Sequence, residues 1–365
     1  MATFVLFCLC IAILIFYHLF FHLKVLVFRD NARSGVKKPV SVIVIANNEY
    51  ENLQKLIPYL LKQEYNEFEV VLVDDRSYDE TYEFYLAYSK EDPKLKFLHI
   101  EETPETASAK KFAITLAIKA AKYDHLLFID ADCMPASEYW IFEMATHFVE
   151  KREVILGISP YKAEKTFLNK MIQFETGLTA ANYLSFALAK IPYMGVGRNL
   201  GYAKHLFLDQ KGFHPFYNVK GGDDDLFIQK IANSTNTSIC ISPESFTFST
   251  PKTKFIDWFE QKKRHYSVSK FYTKSTSFLL GLFHIAHLFS YVLFFCLLFS
   301  QEFRLYSSVI FFVRLLLFWI IASMLFKKLA AKVEWYLVPG LELTYCLSVI
   351  SFGLIGLKAK KIKWK

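Results

Sequence analysis

The sequence predicts an α/β fold, a mainly parallel sheet covered by helices, held between hydrophobic helices at the two chain ends. Three observations predict it. Short β-branched runs alternate with helical patterns over residues 39–250, the runs end in acidic or amide clusters, and long apolar stretches occupy 4–28 and 277–357. Of 365 residues 53% are hydrophobic, with 37 Phe and 21 Tyr, so part of the chain belongs in lipid.

Residues 4–28 are apolar except for His18, His22 and Lys24. About 20 such residues span a bilayer, which predicts one transmembrane helix, in a segment taken as 1–30. A cleaved signal peptide would need a basic start and a small-residue cleavage site, and neither is present. Arg29, Arg33, Lys37 and Lys38 follow the stretch, whereas only the α-amino group precedes it. The positive-inside rule therefore places residue 30 onward in the cytoplasm.

Val40–Ile45 is nearly continuous in Val and Ile, as in a strand buried on both faces. A helix is expected over about Glu49–Gln63, a second strand over Glu69–Val73 and a third over His125–Ile129. In open α/β sheets ligands bind beyond the carboxyl ends of the strands. The clusters found there, Asn47 to Glu49, Asp74 with Asp75, and Asp130 with Asp132, are expected to converge on one crevice. For any single cluster, ordinary turn and cap residues are the alternative.

Asp130-Ala131-Asp132 sets two hard oxygen ligands at a strand end, a pattern suited to magnesium or manganese bridging phosphate oxygens. Gly221-Gly222-Asp223-Asp224-Asp225, after Lys220, places three carboxylates before a helix that needs only one as its cap. One of them is then available as a general base toward an acceptor hydroxyl. Gln261-Lys262-Lys263-Arg264-His265 lies in an aromatic, basic stretch, 251–275, that also reads as an amphipathic interfacial helix. Asn233 and Asn236 match glycosylation acceptors but read as loop residues in a cytoplasmic domain. The glycine-rich Gly195–Gly201 lacks the strand-to-helix context of a phosphate loop.

Ser277–Phe299 and Leu305–Phe326, linked through Gln301–Arg304, read as a transmembrane hairpin within 276–328, with Lys327, Lys328 and Lys332 returning to the inside. Arg314 within it is a candidate for function, for snorkelling or for pairing. Trp335–Leu357, in the closing segment 329–365, is long enough to cross. A crossing would leave Lys358, Lys360, Lys361, Lys363 and Lys365 outside, and Pro339, Gly340 and Glu342 interrupt the run. A re-entrant or interfacial segment is the reading preferred, with a crossing as the alternative. The six cysteines form neither a disulfide framework nor a zinc spacing. The net charge of +8 flanks apolar segments and forms no stripe for nucleic acid.

Taken in order, Val42–Glu49, Val73-Asp74-Asp75-Arg76-Ser77 with Asp79, Ala109-Lys110-Lys111, Asp130-Ala131-Asp132, Gly222–Leu226 and Gln261–Arg264 resemble a membrane-anchored, bacterial-type family 2 glycosyltransferase of the GT-A fold, a Rossmann-like nucleotide-sugar-binding domain. The resemblance covers about 39–272 and puts the catalytic domain at 31–250. It implies donor contacts from Ala46, Glu49, Asp75, Lys110, Lys111, Asp130, Gln261 and Arg264. It also implies a divalent metal, Mg²⁺ or Mn²⁺, on Asp132 with Asp130. Asp224 is implied as the base of an inverting transfer, with Asp223 as base and Asp225 in the helix as the other register. The partners implied are a UDP- or GDP-sugar, a lipid-linked or glycan acceptor and membrane lipids, at the cytoplasmic face of the plasma membrane. A processive polysaccharide synthase and an inactive membrane scaffold are the rival readings. His265 stands where the processive pattern has Trp, which favours transfer of a single sugar.

Overall fold

The computed structural model describes residues 1–30, 37–104, 108–219 and 221–358. Arg33, Lys220, Lys360, Lys361, Lys363 and Lys365, invoked above, lie outside the described residues. The first apolar stretch is helical throughout, as α1 (Ala2–Phe16), a π-helical turn (Tyr17–His22) and α2 (Leu23–Val27). The middle of the chain follows as β1 (Val40–Ala46), α3 (Tyr50–Leu61), β2 (Phe68–Asp75), α4 (Thr81–Glu91), β3 (Leu95–Ile100), α5 (Ala109–Ala120), β4 (His125–Phe128), β5 (Cys133–Pro135), α6 (Trp140–Ala145) and β6 (Val154–Leu156). It continues with α7 (Phe167–Leu188), β7 (Leu200–Ala203), α8 (Lys204–Asp209), α9 (Asp225–Ile231), β8 (Thr237–Ile239) and β9 (Thr247–Ser249). Helices α10 (Phe255–Val268), α11 (Lys274–Leu297), α12 (Arg304–Lys328) and α13 (Val338–Lys358) complete the chain.

The seven-stranded sheet has the order β3-β2-β1-β4-β7-β6-β8, while β5 and β9 pair separately. Strands β3, β2, β1 and β4 are parallel, and β7 runs antiparallel to both its neighbours, so one half of the sheet is mixed. Side chains alternate across a strand, so Val40, Val42 and Val44 join one core with Leu53 and Leu56 of α3. Ile43 joins the opposite core with Ala113 and Ala117 of α5. Strand β3 was not anticipated, because Leu95-Lys96-Phe97 carries charge where an edge strand meets solvent.

Among the described residues, four helical stretches are long and apolar enough to cross a membrane: Ala2–Val27, Lys274–Leu297, Arg304–Lys328 and Trp335–Gly353. Phe4 stacks on Phe303, so the N-terminal end lies beside the α11–α12 link. At the other end Lys328 donates to the carbonyls of Leu26 (2.9 Å) and Phe28 (2.5 Å). Helix α7 joins these helices to the sheet. Its Gly177 lies so close to α12 that an added Cβ would sit 2.8 Å from the Phe326 ring. Asp30, just after α2, accepts from the amides of Ile241 (2.5 Å) and Ser242 (2.9 Å) and pairs with His147, which ties the end of the first helical stretch to the segments following α6 and β8.

Helix α13 is continuous. Pro339 and Gly340 fall in its first turn, where a missing N–H removes no helical bond. It packs chiefly along α10 and α7, with Phe352 against Trp258 and Phe259. Arg314 is fully buried and pairs with Glu342 of α13 at 2.5 Å, with His287 (2.9 Å) and Tyr291 (3.1 Å) on the same carboxylate. Of the three roles open to it from sequence, the contacts fit pairing.

Candidate active site

The turns after β1 and β2 are built against each other. Asn48 takes a left-handed conformation (φ 57°), which Asn tolerates, its amide donates to Ser77 Oγ (2.9 Å) and its Oδ1 accepts from Tyr78 N (2.9 Å). Asn48 is therefore a brace, while Ala46, Asn47 and Glu49 line a cleft of about 1330 Å³. The same alternation separates the next pair. Asp75 lines the cleft, whereas Asp74 turns away to His99 Nδ1 (2.7 Å) and the Ser77 amide (3.2 Å).

Asp130 and Asp132, on the turn leaving β4, face the same cleft as Asp223, Asp224 and Asp225. Lys110, in the first turn of α5, lies between the two acidic groups, 3.3 Å from Asp130 and 3.1 Å from Asp223. Burial opposes its charge, but Asp130, Asp223 and Asp224 outweigh it and hold the ammonium above its ordinary range. Lys111 is one helical step round and points elsewhere. Its ammonium donates to the carbonyls of Phe216 (2.6 Å) and Val219 (2.7 Å), and burial lowers its pKa to about 8. It does not line the cleft and instead fastens the segment leading into Asp223.

The three consecutive carboxylates have three environments. Burial would raise Asp223, but Lys110 overrides it and holds that group below the usual carboxylate range. Asp224 is the N-cap of α9, accepting from its neighbour's amide (2.9 Å) and from Gly197 N (3.0 Å), and burial together with the Asp223 charge raises it. Asp225 accepts from Leu226 N (2.7 Å) and Tyr272 OH (2.8 Å), and burial followed by the Asp224 charge lifts it to about 7. Gly221 and Gly222, at φ 94° and 82°, supply the backbone that brings the triplet in, and a Cβ on Gly222 would meet Leu226 at 2.7 Å.

Helix α10 closes another wall with Gln261, Arg264 and His265, positions i, i+3 and i+4 of one face. His265 is solvent-exposed on this wall. Lys262 forms a buried ion pair with Glu175 of α7, also on the cleft. Of the site residues expected from sequence, Lys111 does not reach this cleft, and of the strand-end clusters expected to converge on it, Asn48 and Asp74 do not either. Arg198 belongs to the glycine-rich Gly195–Gly201 segment, which the family 2 resemblance puts on the acceptor side of the pocket; its guanidinium stacks 4.6 Å over Tyr161, donates to Ser249 Oγ (2.7 Å) and faces the Asp130–Asp132 turn. Glu175 was missed, because one acid inside an apolar helix has no motif around it.

Asp130 and Asp132 are hard oxygen donors of the kind that hold a small divalent cation with few protein ligands, the rest coming from phosphate and water. Beside Lys110 and Arg198, this end of the cleft suits a diphosphate. The basic carboxylate Asp224 suits proton removal from a hydroxyl.

Residues 41–207 match the family Glycosyl transferase family 2. The chain is 32% identical over 93 residues to the glycosyltransferase GlyG of Streptococcus pneumoniae, covering 26% of this chain and 30% of that protein. It is 26% identical over 132 residues to WfaP of Escherichia coli, a UDP-Glc:α-D-GlcNAc-diphosphoundecaprenol β-1,3-glucosyltransferase, covering 35% of this chain and 48% of that one. The chain therefore spans less than half the length of either relative. Among solved structures, the mannosyltransferase PcManGT of Pyrobaculum calidifontis, in complex with GDP-Man and Mn²⁺, superposes with a TM-score of 0.64 over 96% of this chain and 97% of its own. At 14% identity that similarity is one of fold.

Proposed function

We propose that the protein, whose residues 41–207 match the family Glycosyl transferase family 2, is an inverting glycosyltransferase that moves one sugar from a nucleotide-sugar to a hydroxyl of a lipid-linked acceptor. The observation that carries this is a single cleft lined by the Asp130–Asp132 turn, by Asp224 and by residues of the membrane-length helices.

The donor nucleotide would lie along Ala46, Glu49 and Asp75, with its diphosphate toward Lys110, Arg198 and Arg264. Asp132, with Asp130, would hold a divalent cation, which when bound offsets charge on the departing nucleoside diphosphate. Asp224 takes the proton of the acceptor hydroxyl as that oxygen attacks the anomeric carbon, the sugar passing through an oxocarbenium-like state in one displacement. Asp223, kept ionised by Lys110, is the poorer base of the pair. The printed names of the similar proteins include both a UDP- and a GDP-sugar, and either nucleotude class fits this reading.

Positive residues after α2 and at the end of α12 support a domain on the cytoplasmic face, with several helices in the plasma membrane. Helix α13 lies along the interfacial α10 in this reading. Mass spectrometry of lipids from cells with and without the gene tests the proposal: one glycolipid is expected to disappear on deletion. Purified protein that glycosylates soluble acceptors as fast as lipid extracts would overturn the lipid assignment.

A further inference from the structure

The cleft does not stop at the edge of the domain. One stripe of α11, Ser277, Leu280, Gly281 and His284, spaced i, i+3, i+4 and i+7, lines it. So does one stripe of α13, Tyr345, Val349 and Gly353. The stripe on α11 runs about 10 Å along the helix axis. The flank of α11 beside this stripe is different: Phe278, Ile285 and Phe289 are exposed, as expected of a surface against bilayer lipid.

Glycines in membrane helices usually let two backbones approach closely. Gly177 of α7 likewise makes room for a neighbour, the Phe326 ring of α12 standing where its Cβ would be. Gly281 and Gly353 do not: a Cβ on either would meet no heavy atom within 4 Å. Both line the cleft, so what their missing side chains leave is room beside Leu280 and Val349. At the near end of the slot, Gln229 of α9 reaches Thr276 of α11 (3.5 Å), and Tyr272, just before α11, donates to Asp225. The slot therefore begins beside the acidic triplet. His284 and Tyr345, with ring centroids 6.1 Å apart, stand at its far end.

We propose that the slot between α11 and α13 takes the hydrocarbon chain of the acceptor, an alkyl- or acyl-chain lipid whose hydroxyl is presented to Asp224. This rests on the transferase reading above and adds to it the residues that seat the chain. An amphiphile matches the two ends of the space: carboxylates at one end, and Leu280, Val349 and two bare glycines along the other. A soluble sugar acceptor would leave that apolar length unfilled.

The test uses the full-length protein in phosphatidylethanolamine–phosphatidylglycerol nanodiscs containing a diacylglycerol with a diazirine on its acyl chain. After illumination, crosslinks are expected at Leu280, Gly281 and His284 and at Tyr345, Val349 and Gly353. Gly281→Trp, and separately Gly353→Leu, should lose the slot crosslinks while labelling at the outward Phe278 and Phe289 persists. Stabilisation by UDP or GDP with Mn²⁺ in a melting assay shows that each variant is folded and reads the donor side separately. Crosslinks confined to outward residues, or slot labelling unchanged in both variants, would overturn the proposal. Nucleotide stabilisation without slot labelling sinks the slot alone, and slot labelling without any nucleotide effect sinks the transferase reading on which the acceptor role depends.

Discussion

Charge is drawn inward in two regions of this protein, mostly half-buried in one and fully buried in the other, and they handle it differently. In the cleft, Asp130, Asp132, Asp223, Asp224 and Asp225 crowd together beside a large open volume, with Lys110 between the two acidic groups and Arg198 facing the Asp130–Asp132 turn. Among the membrane-length helices, Glu342 meets Arg314 directly, with His287 and Tyr291 on the same carboxylate, and none of these four lines the cleft. Both arrangements cost desolvation. One is left with an excess of negative charge facing space, while the other is matched within itself. The difference shows that burial of charge does not mark a functional site; unbalanced charge beside accessible volume does.

The sharpest way to break the comparison is at the base. Asp224→Asn keeps the shape and the acceptor oxygen at the α9 cap but removes proton acceptance. Transfer should fall by about 10²–10⁴ while nucleotide stabilisation is retained. Initial rates of sugar transfer to a lipid extract, with a melting assay beside them, check both parts. Undiminished transfer would move the base elsewhere in the triplet.

The matched region should respond through stability. Arg314→Met leaves Glu342 buried without its cation and should cost about 3–5 kcal/mol. Replacing both partners, Arg314→Met with Glu342→Leu, should recover most of that loss, because the penalty lies in the orphaned charge. Thermal unfolding in detergent separates the two outcomes. A double variant as unstable as the single would show that the pair itself is needed.

Lys110 connects the acids on the two sides of the cleft, so Lys110→Met is expected to have an intermediate effect. Two charge-assisted contacts are lost, each worth about 1.5–3 kcal/mol, and Asp223 loses the partner that keeps it ionised. Nucleotide-sugar affinity, read by isothermal calorimetry, should weaken, and the pH at which Asp223 titrates should rise. Unchanged affinity would make Lys110 a purely internal counter-charge.

These expectations depend on how much of the site could be read from the chain. Strand-end acids were legible because a parallel sheet delivers its carboxyl ends to one edge, and the order of Asp75, Asp130–Asp132, Asp223–Asp225 and Gln261–Arg264 is linear information. Which member of each pair turns inward was not legible. The choice of Asp75 over Asp74 depends on strand alternation and on His99, contributed by an edge strand whose charged pattern hid it. The choice of Lys110 over Lys111 depends on one helical step and on carbonyls more than a hundred residues away. Arg198 and Glu175 act through contacts that exist only once the chain is folded, and the Arg314–Glu342 pair joins two helices that sequence gives separately.

The smallest expected effect concerns Asp225, and its sign is fixed. An aspartate titrates near 3.9 when unfolded, and here it is lifted to about 7 by burial and then by Asp224. Between those values the folded protein binds more protons at this position than the unfolded chain does, so its contribution is complete below about pH 4 and is lost as pH rises through about 7. Asp223, held below its ordinary range by Lys110, has the opposite sense and acts only at more acid pH. Asp224 is also raised and adds in the same direction as Asp225. Melting midpoints of wild type and Asp225→Asn at pH 5 and pH 7 isolate the term: the wild type should lose more on going to pH 7 than the variant does. Tyr272→Phe, which removes the hydroxyl donated to the ionised form, should move the wild-type loss to higher pH, since that hydrogen bond favours the carboxylate. Equal losses in all three proteins would mean that Asp225 is ionised throughout, and the cleft would then hold one more uncompensated charge.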